Sequence, residues 1–374
     1  MGNVIKILKL FYKYITATIV ATQLTGFGAA LAESPEATRA NQQLAAYREL
    51  PTFEAPGEAF DAAACMKGKS ILSIPASSGV PFVKTIGDSM SKVAKTIGFD
   101  LKIWENQGQP TQWVQGFDYA INNKYDMIDL LAGADPRFLA PQVKAANAAG
   151  IKVVASHLTG FEQILPEGVS GVPIDYKRAG ALLADWAIWK TDGKANALVI
   201  GINDVLSTES MMSGIEEEFS KCPNCNFVYK NVSIPDLATR TGSIVQGALA
   251  ADPTLNYIIP IYDVMNLWVV PAITIAGRSD QVKVATFNGT PFALKMIQDG
   301  KIEMDVGENL DWIAHGIIDS EMRMLCGLPE VSDAKIPLLI FDENNADTAG
   351  NPPEVSTGYG DAYIDGYRKL WKLK

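Results

Sequence analysis

With 374 residues, 42 acidic against 32 basic side chains and a net charge of −10, the chain is a poor match for nucleic acid or anionic lipid surfaces. Two histidines and four cysteines exclude a metal site rich in those ligands. The length is sufficient for two domains with separate cores.

The opening segment reads as an export leader. Lys6, Lys9 and Lys13 form a basic start, residues 15–31 are mostly apolar, and Ala30-Leu31-Ala32 offers small residues for a signal peptidase. Thr16, Thr18, Thr22, Gln23 and Thr25 interrupt the apolar run and no charged stop-transfer flank follows. A cleaved signal peptide over 1–32 is therefore expected rather than an anchor, with the mature protein starting at Glu33. No cysteine stands at the cut, so a freely soluble periplasmic product is expected rather than a lipid-anchored one. The leader carries lysines and no acid, so the mature chain is more acidic than the whole.

Residues 33–65, rich in Ala, Glu, Pro and Gln, read as an N-terminal arm. Ser70-Ile-Leu-Ser-Ile-Pro75 then reads as a buried strand, and Phe82, Ile86, Met90, Val93 and Ile97 recur at helical spacing. Strand and helix alternate from there: strand 101–104, helix around Trp113, Phe117 and Ile121, strand 127–132, helix 140–149, strand 152–156. A second series runs helix 175–189, strand 195–201, helix 208–220, strand 227–234, helix 237–251 and strand 257–261. It closes with helix 265–276, strand 282–287, helix 291–299, strand 302–306, helix 310–325 and strand 336–341.

Such alternation implies parallel sheets, because each crossover helix returns the chain to run in the same direction. The expected fold class is α/β, with two doubly wound parallel-sheet lobes. Residues 66–170 plus 309–335 are expected to form the N-terminal lobe, and 171–308 plus 336–374 the C-terminal lobe. Trp113, Trp186, Trp189, Trp268 and Trp312 fall on helices and are expected mainly in cores or between lobes.

Cys222-Pro-Asn-Cys225 could be a redox motif, half a zinc site or a short structural staple. Zinc needs a second pair of ligands, and His157 and His315 are the only histidines, so the staple is the preferred reading. Cys65 and Cys326 would then pair across a long loop, as exported cysteines do.

In open parallel sheets, ligands sit beyond the carboxyl ends of the strands. The segments to inspect are therefore 76–82, 133–138, 156–158, 203–211, 262–263, 288–290 and 307–308. No dinucleotide fingerprint or phosphate-cradling loop follows any of these strands, so no cofactor is expected. No nucleophile elbow, His-Glu-X-X-His pair or carboxylate dyad supports an exported hydrolase.

At these post-strand positions the chain resembles the type I periplasmic binding proteins, in the ribose-binding branch. The resemblance spans about 68–341 and includes Val80-Pro81-Phe82, Phe287-Asn288-Gly289-Thr290 and, beyond that span, the closing Tyr367-Arg-Lys-Leu-Trp371. It implies two lobes joined by a three-strand hinge, closing over a small-molecule ligand and delivering it to the membrane permease of an ABC importer. A periplasmic sensor presenting the same solute to a membrane receptor is the alternative. No nucleic acid partner is expected, and the protein is expected to be a monomer.

The chain departs from the sugar-binding pattern of that family. Val80 stands where Asn is common, His157-Leu158 where Asp-Arg is common, and Met211 near the usual pocket Arg. Tyr262 replaces an amide before Asp263, and Asn288 replaces a common Asp. A largely uncharged sugar-like, polyol or more apolar ring solute is therefore expected. Candidate ligand-binding residues are Ser77, Ser78, Phe82, Asp135, His157, Met211, Tyr262, Asp263, Asn288 and Glu308. Each also has an ordinary structural reading: Phe82 as helix face, Ser77 and Ser78 as caps, Asp135-Pro136 as a turn, Met211 as packing, Asp263 as a helix cap.

Overall fold

A computed structural model describes residues 33–373. The signal peptide expected over 1–32 lies outside the described residues. Helix α1 (Pro35–Leu44) and a short α2 (Ala62–Cys65) precede β1 (Ser70–Pro75), α3 (Pro81–Ile97), β2 (Asp100–Ile103), α4 (Pro110–Asn122), β3 (Met127–Leu131), α5 (Ala140–Ala148), β4 (Lys152–Ser156) and β5 (Val169–Val172). The second half comprises α6 (Tyr176–Lys190), β6 (Asn196–Gly201), α7 (Ser207–Ser220), β7 (Asn226–Asn231), α8 (Leu237–Ala251), β8 (Tyr257–Pro260), α9 (Asn266–Ile275), β9 (Lys283–Asn288), α10 (Pro291–Gln298), β10 (Met304–Glu308), α11 (Leu310–Leu325), β11 (Leu338–Asp342) and α12 (Ala362–Leu370).

Each lobe is a sheet with helices on both faces, the first wholly parallel and the second parallel except at its β11 edge. The first sheet has the order β2-β1-β3-β4-β5 and the second β11-β10-β9-β8-β6-β7. Side-chain alternation puts the two faces of each strand into different cores. In β1, Ile71 joins the core beneath α3 and α11, while Leu72 and Ile74 join the one beneath α4 and α5. In β6, Ala197 and Val199 face α6 and α7, while Leu198 and Ile200 face α8 and α9. α3 shows how local sequence sets the boundaries: Pro81 opens it where no amide partner is needed, and Gly98, at φ 96°, closes it in the left-handed region.

Three features differ from the sequence-based expectation. β11 runs antiparallel to β10, with Gly307 opposite Leu339. Its predecessor α11 packs in the first lobe, so the chain returns to the second sheet without a crossover helix on that sheet and enters from the opposite end. Second, α12 packs in the first core through Tyr363, Tyr367 and Leu370, not with the C-terminal lobe to which 336–374 was assigned. Third, the arm is built into both lobes. Leu44 of α1 packs in the second lobe and Arg39 pairs with Asp185 and Glu218 there, whereas Phe53 stacks on Trp312 and Phe60 sits in the first core.

The chain consequently passes between the cores five times. The expected three passages are 173–175, Asn309 and 326–337; the arm around 48–53 and the segment 343–361 add two more. The arm passes beside the others, sharing a groove with Asp175, Arg178 and 336–338.

Both cysteine pairs are joined. Cys222 and Cys225 have Cα atoms 5.3 Å apart, and Cys65 and Cys326 are 5.9 Å apart across a sequence separation of 261, both within the range a disulfide spans. The longer link ties α2 to the end of α11.

Candidate functional site

The carboxyl ends of the strands in both sheets converge on one cleft. It holds about 580 Å³ of empty space, counted out into its open mouth. Ala76, Val80, Phe82, Val83, Ala132 and His157 line it from the first lobe; Tyr176, Ile202, Val205, Ser207, Tyr262, Asp263 and Asn288 are among those lining it from the second. Among the described residues, no lysine or arginine lines it. Ala132, His157 and Asn288, each at or just past a strand end, have positive φ angles of 58°, 49° and 132°. Such conformations cost energy in residues with a Cβ and are characteristic of binding sites.

His157 is held from three sides. Its Nε2 lies 2.8 Å from Glu308 Oε2, its Nδ1 lies 2.5 Å from the Tyr176 hydroxyl, and its ring centroid lies 5.1 Å from that of Phe82. His157 follows β4 of the first lobe, while Glu308 and Tyr176 belong to the second, so this buried chain of contacts joins the lobes at the back of the cleft. Burial, then the Glu308 charge, raises the Tyr176 hydroxyl well above its usual range, so the phenol stays protonated.

Tyr262 is held just as fully. Thr208 Oγ1 donates to the Ile202 carbonyl at 2.6 Å, so at 3.0 Å from Tyr262 it can only accept the phenolic proton. Ser207 Oγ, 2.8 Å away, then donates to the Tyr262 oxygen. Burial pushes the Tyr262 hydroxyl up to about 12, so the proton is present.

Asp263 differs. Its Oδ2 accepts hydrogen bonds from the Thr290 amide at 3.0 Å and from the Thr290 hydroxyl, but Oδ1 makes no hydrogen bond of normal geometry although the residue is wholly buried. Burial raises its carboxyl to about 7 against the opposing pull of Thr290 and the Val264 amide. Behind it, Asp305 accepts the Gly289 amide at 3.0 Å and is raised well above the carboxylate range, by burial first and the Asp263 charge second. Gly289, at φ 71°, is required here: a Cβ would lie 2.6 Å from the Gly307 Cα and strike the Tyr359 hydroxyl.

Of the candidates, Phe82, His157, Tyr262, Asp263 and Asn288 come together in the cleft. Glu308 stands behind His157. Ser77 accepts the Gly79 amide in the turn before α3, and Ser78 accepts the Asn106 amide beside a separate shallow depression on the first lobe. Asp135 holds Arg137 by its Nη2 at 2.7 Å, and Arg137 reaches Glu209 of the second lobe at 3.3 Å, so Asp135 serves an inter-lobe contact on the rim. Met211 is fully buried in α7; a Cβ on Gly180 would lie 2.0 Å from the Met211 carbonyl, so α6 and α7 meet there backbone to backbone.

The residues missed by sequence reasoning are mostly apolar: Val205, Ile234 and Leu237 above all. Ile234 and Leu237 follow β7, whose carboxyl end also points to the cleft, and that position is the signal that could have found them.

A family model described as periplasmic binding protein domain matches residues 71–328. The chain belongs to that family. It falls in the ribose-binding branch: it is 26% identical over 260 residues to the ribose import binding protein RbsB of Escherichia coli, covering 69% of this chain and 84% of the relative. Among solved structures, a solute-binding protein of Agrobacterium vitis bound with α-D-tagatopyranose superposes with a TM-score of 0.68 at 20% identity, covering 76% of this chain and 97% of that one. The 5-methylthioribose transporter solute-binding protein of Thermotoga lettingae gives 0.66 at 18% identity, covering 80% and 93%. At such identities the structures establish the fold. The matched relatives are binding proteins, not enzymes.

Proposed function

We propose that the chain is the solute-binding component of an ABC importer. It is exported by a cleaved leader, works as a monomer in the periplasm, and passes a small, largely uncharged sugar-like, polyol or ring solute to a membrane permease. The observation that carries the reading is a cleft walled by both lobes and lined by the Asn288 side chain and by Asp263, a wholly buried carboxyl with one oxygen that makes no hydrogen bond of normal geometry. A buried acceptor left unpaired costs free energy that a ligand donor recovers. Contacts from both lobes make the closed form the one that ligand stabilises. The RbsB relationship supports the sugar-like class, and micromolar capture needs about 8 kcal/mol net.

The test is a thermal-shift screen of the exported protein against sugars, polyols and ring compounds, with each stabilising compound recovered afterwards. Recovery unchanged supports capture; conversion to product overturns it. Asn288→Gly, which suits a φ of 132°, should weaken a stabilising solute about tenfold with the ligand-free melting temperature unchanged. Mass spectrometry of the exported product should place its first residue at Glu33.

A further inference from the structure

The cleft has many polar residues on its wall and few polar atoms left to offer. Both ring nitrogens of His157 are occupied by Glu308 and Tyr176, and the Tyr262 proton is committed to Thr208. Ser207 gives its proton to Tyr262 and keeps only lone pairs. Among the described residues lining the cleft, the side-chain groups with open capacity are the Ser207 lone pairs, the Asn288 carboxamide and Asp263, whose Oδ1 makes no hydrogen bond of normal geometry. The remaining wall is apolar from both sides, with Val80 and Phe82 facing Ile202, Val205, Ile234 and Leu237.

A pyranose presents hydroxyls around its whole ring, and each one buried against that wall without a partner would weaken binding about tenfold. An alkyl, thioether or aryl group buried on the same wall strengthens binding by about as much. Resting on the solute-capture reading above, we propose that the cleft selects an amphiphilic neutral solute. Its polar end carries about two or three hydrogen-bonding groups, directed at Asp263 and Asn288, and its apolar substituent lies between Phe82 and the Val205–Leu237 wall. In ligand chemistry this is a deoxygenated, alkylated, alkylthio or aryl-substituted ring compound, as opposed to a fully hydroxylated sugar or polyol. Val205 and Leu237 then act as specificity-determining residues.

The experiment is titration calorimetry of the exported protein with matched pairs: D-ribose against 5-methylthioribose, and D-glucose against its phenyl glycoside. The substituted member of at least one pair is expected to bind about tenfold tighter or more than its parent. Leu237→Asn and Val205→Asn, which lie in different elements so that a folding defect in one leaves the other informative, should each reduce that preference by about tenfold. The readout is the ratio of substituted to parent affinity within each variant, so a general loss of binding that falls on both members equally does not count as loss of the preference. Parents that bind as tightly as their substituted partners overturn the proposal and leave solute capture standing. A preference unchanged in both variants removes these residues from the selection and overturns it too. Silence from every member of the panel overturns both the proposal and the reading on which it rests.

Discussion

Asp129 lies at the centre of the first sheet, wholly buried, accepting hydrogen bonds from Ser73 at 2.6 Å and Ser156 at 2.5 Å. Burial outweighs those donors and raises its carboxyl to about 6. Because the folded value exceeds the unfolded 3.8, the folded state binds the proton more tightly. The contribution to stability is therefore complete below about pH 4 and lost as the pH rises through 6. Relative to Asp129→Asn, the wild type should lose roughly 2 kcal/mol between about pH 4 and about pH 8, measured by urea unfolding at each pH. Parallel pH profiles for the two proteins would refute this account. At this scale the post-strand position led to Phe82, His157, Tyr262, Asp263 and Asn288, which line the cleft, and equally to Ser77, Ser78 and Asp135, which do not. For Leu237 and Ile234 the sequence offered only their position after β7, because an apolar side chain facing a cleft has the same composition and spacing as one facing a core. Nor could it show that His157 and Tyr262 direct their polar atoms inward, since their partners Glu308 and Thr208 lie 151 and 54 residues away.

Helix α1 was legible only as an arm, because its mean character is polar and its one buried stripe, Ala37, Ala40 and Leu44, consists of small residues and a single leucine. What fixes it to α6 and α7 is Arg39, 3.3 Å from Asp185 and 2.5 Å from Glu218. Asp185 is buried, and burial followed by the Glu218 charge raises its carboxyl to about 8 despite the opposing Arg39 charge. Near neutral pH Asp185 holds its proton, so Arg39→Ala chiefly deprives Glu218 of one of its two cationic partners, Lys221 at 2.8 Å being the other, and is expected to cost about 1 kcal/mol, read by chemical denaturation. The loss should grow as the pH rises through about 8, where Asp185 gives up its proton and the buried charge needs Arg39. The central parallel strands, such as β6 and β8, are buried on both faces and were legible as short continuous apolar runs between helical repeats. The antiparallel β11 was not, since strand direction depends on where the preceding helix packs, and α11 packs in the other lobe.

For the molecule as a whole, the two-lobe architecture followed from alternation alone, while the partition of the chain between lobes depended on long-range contacts. Cys65 and Cys326 are one such contact. The loop they close spans nearly the entire folded body, so Cys65→Ser is expected to lower stability by about 3 to 5 kcal/mol in the chain-entropy model, with reduction of the wild type reproducing the change. An unaltered melting temperature in the variant would show that the link contributes nothing to the ordered state. The inter-lobe contacts are of a different kind: His157 with Glu308 at the back, Arg137 with Glu209 and Gln163 with the Leu206 carbonyl at the rim. These three are polar and local, so they can part and reform as the lobes move, while Ala155 and Leu158 of the first lobe add apolar packing against the second.

The segment around 48–53 runs across the pivot with one end anchored under Trp186 and Trp189 through Arg48 and the other under Trp312 through Phe53. It behaves as a leash of fixed length. Its reach limits the gape of the ligand-free protein, and so shortens the swing each arriving solute must drive. Releasing its two anchors with Arg48→Ala and Phe53→Ala, which keeps the Cys65–Cys326 link and the Arg39 ion pairs, should therefore give a larger radius of gyration by small-angle scattering without solute and an equal one with it. The double variant should also bind more weakly, because more of the available contact energy goes into drawing the halves together.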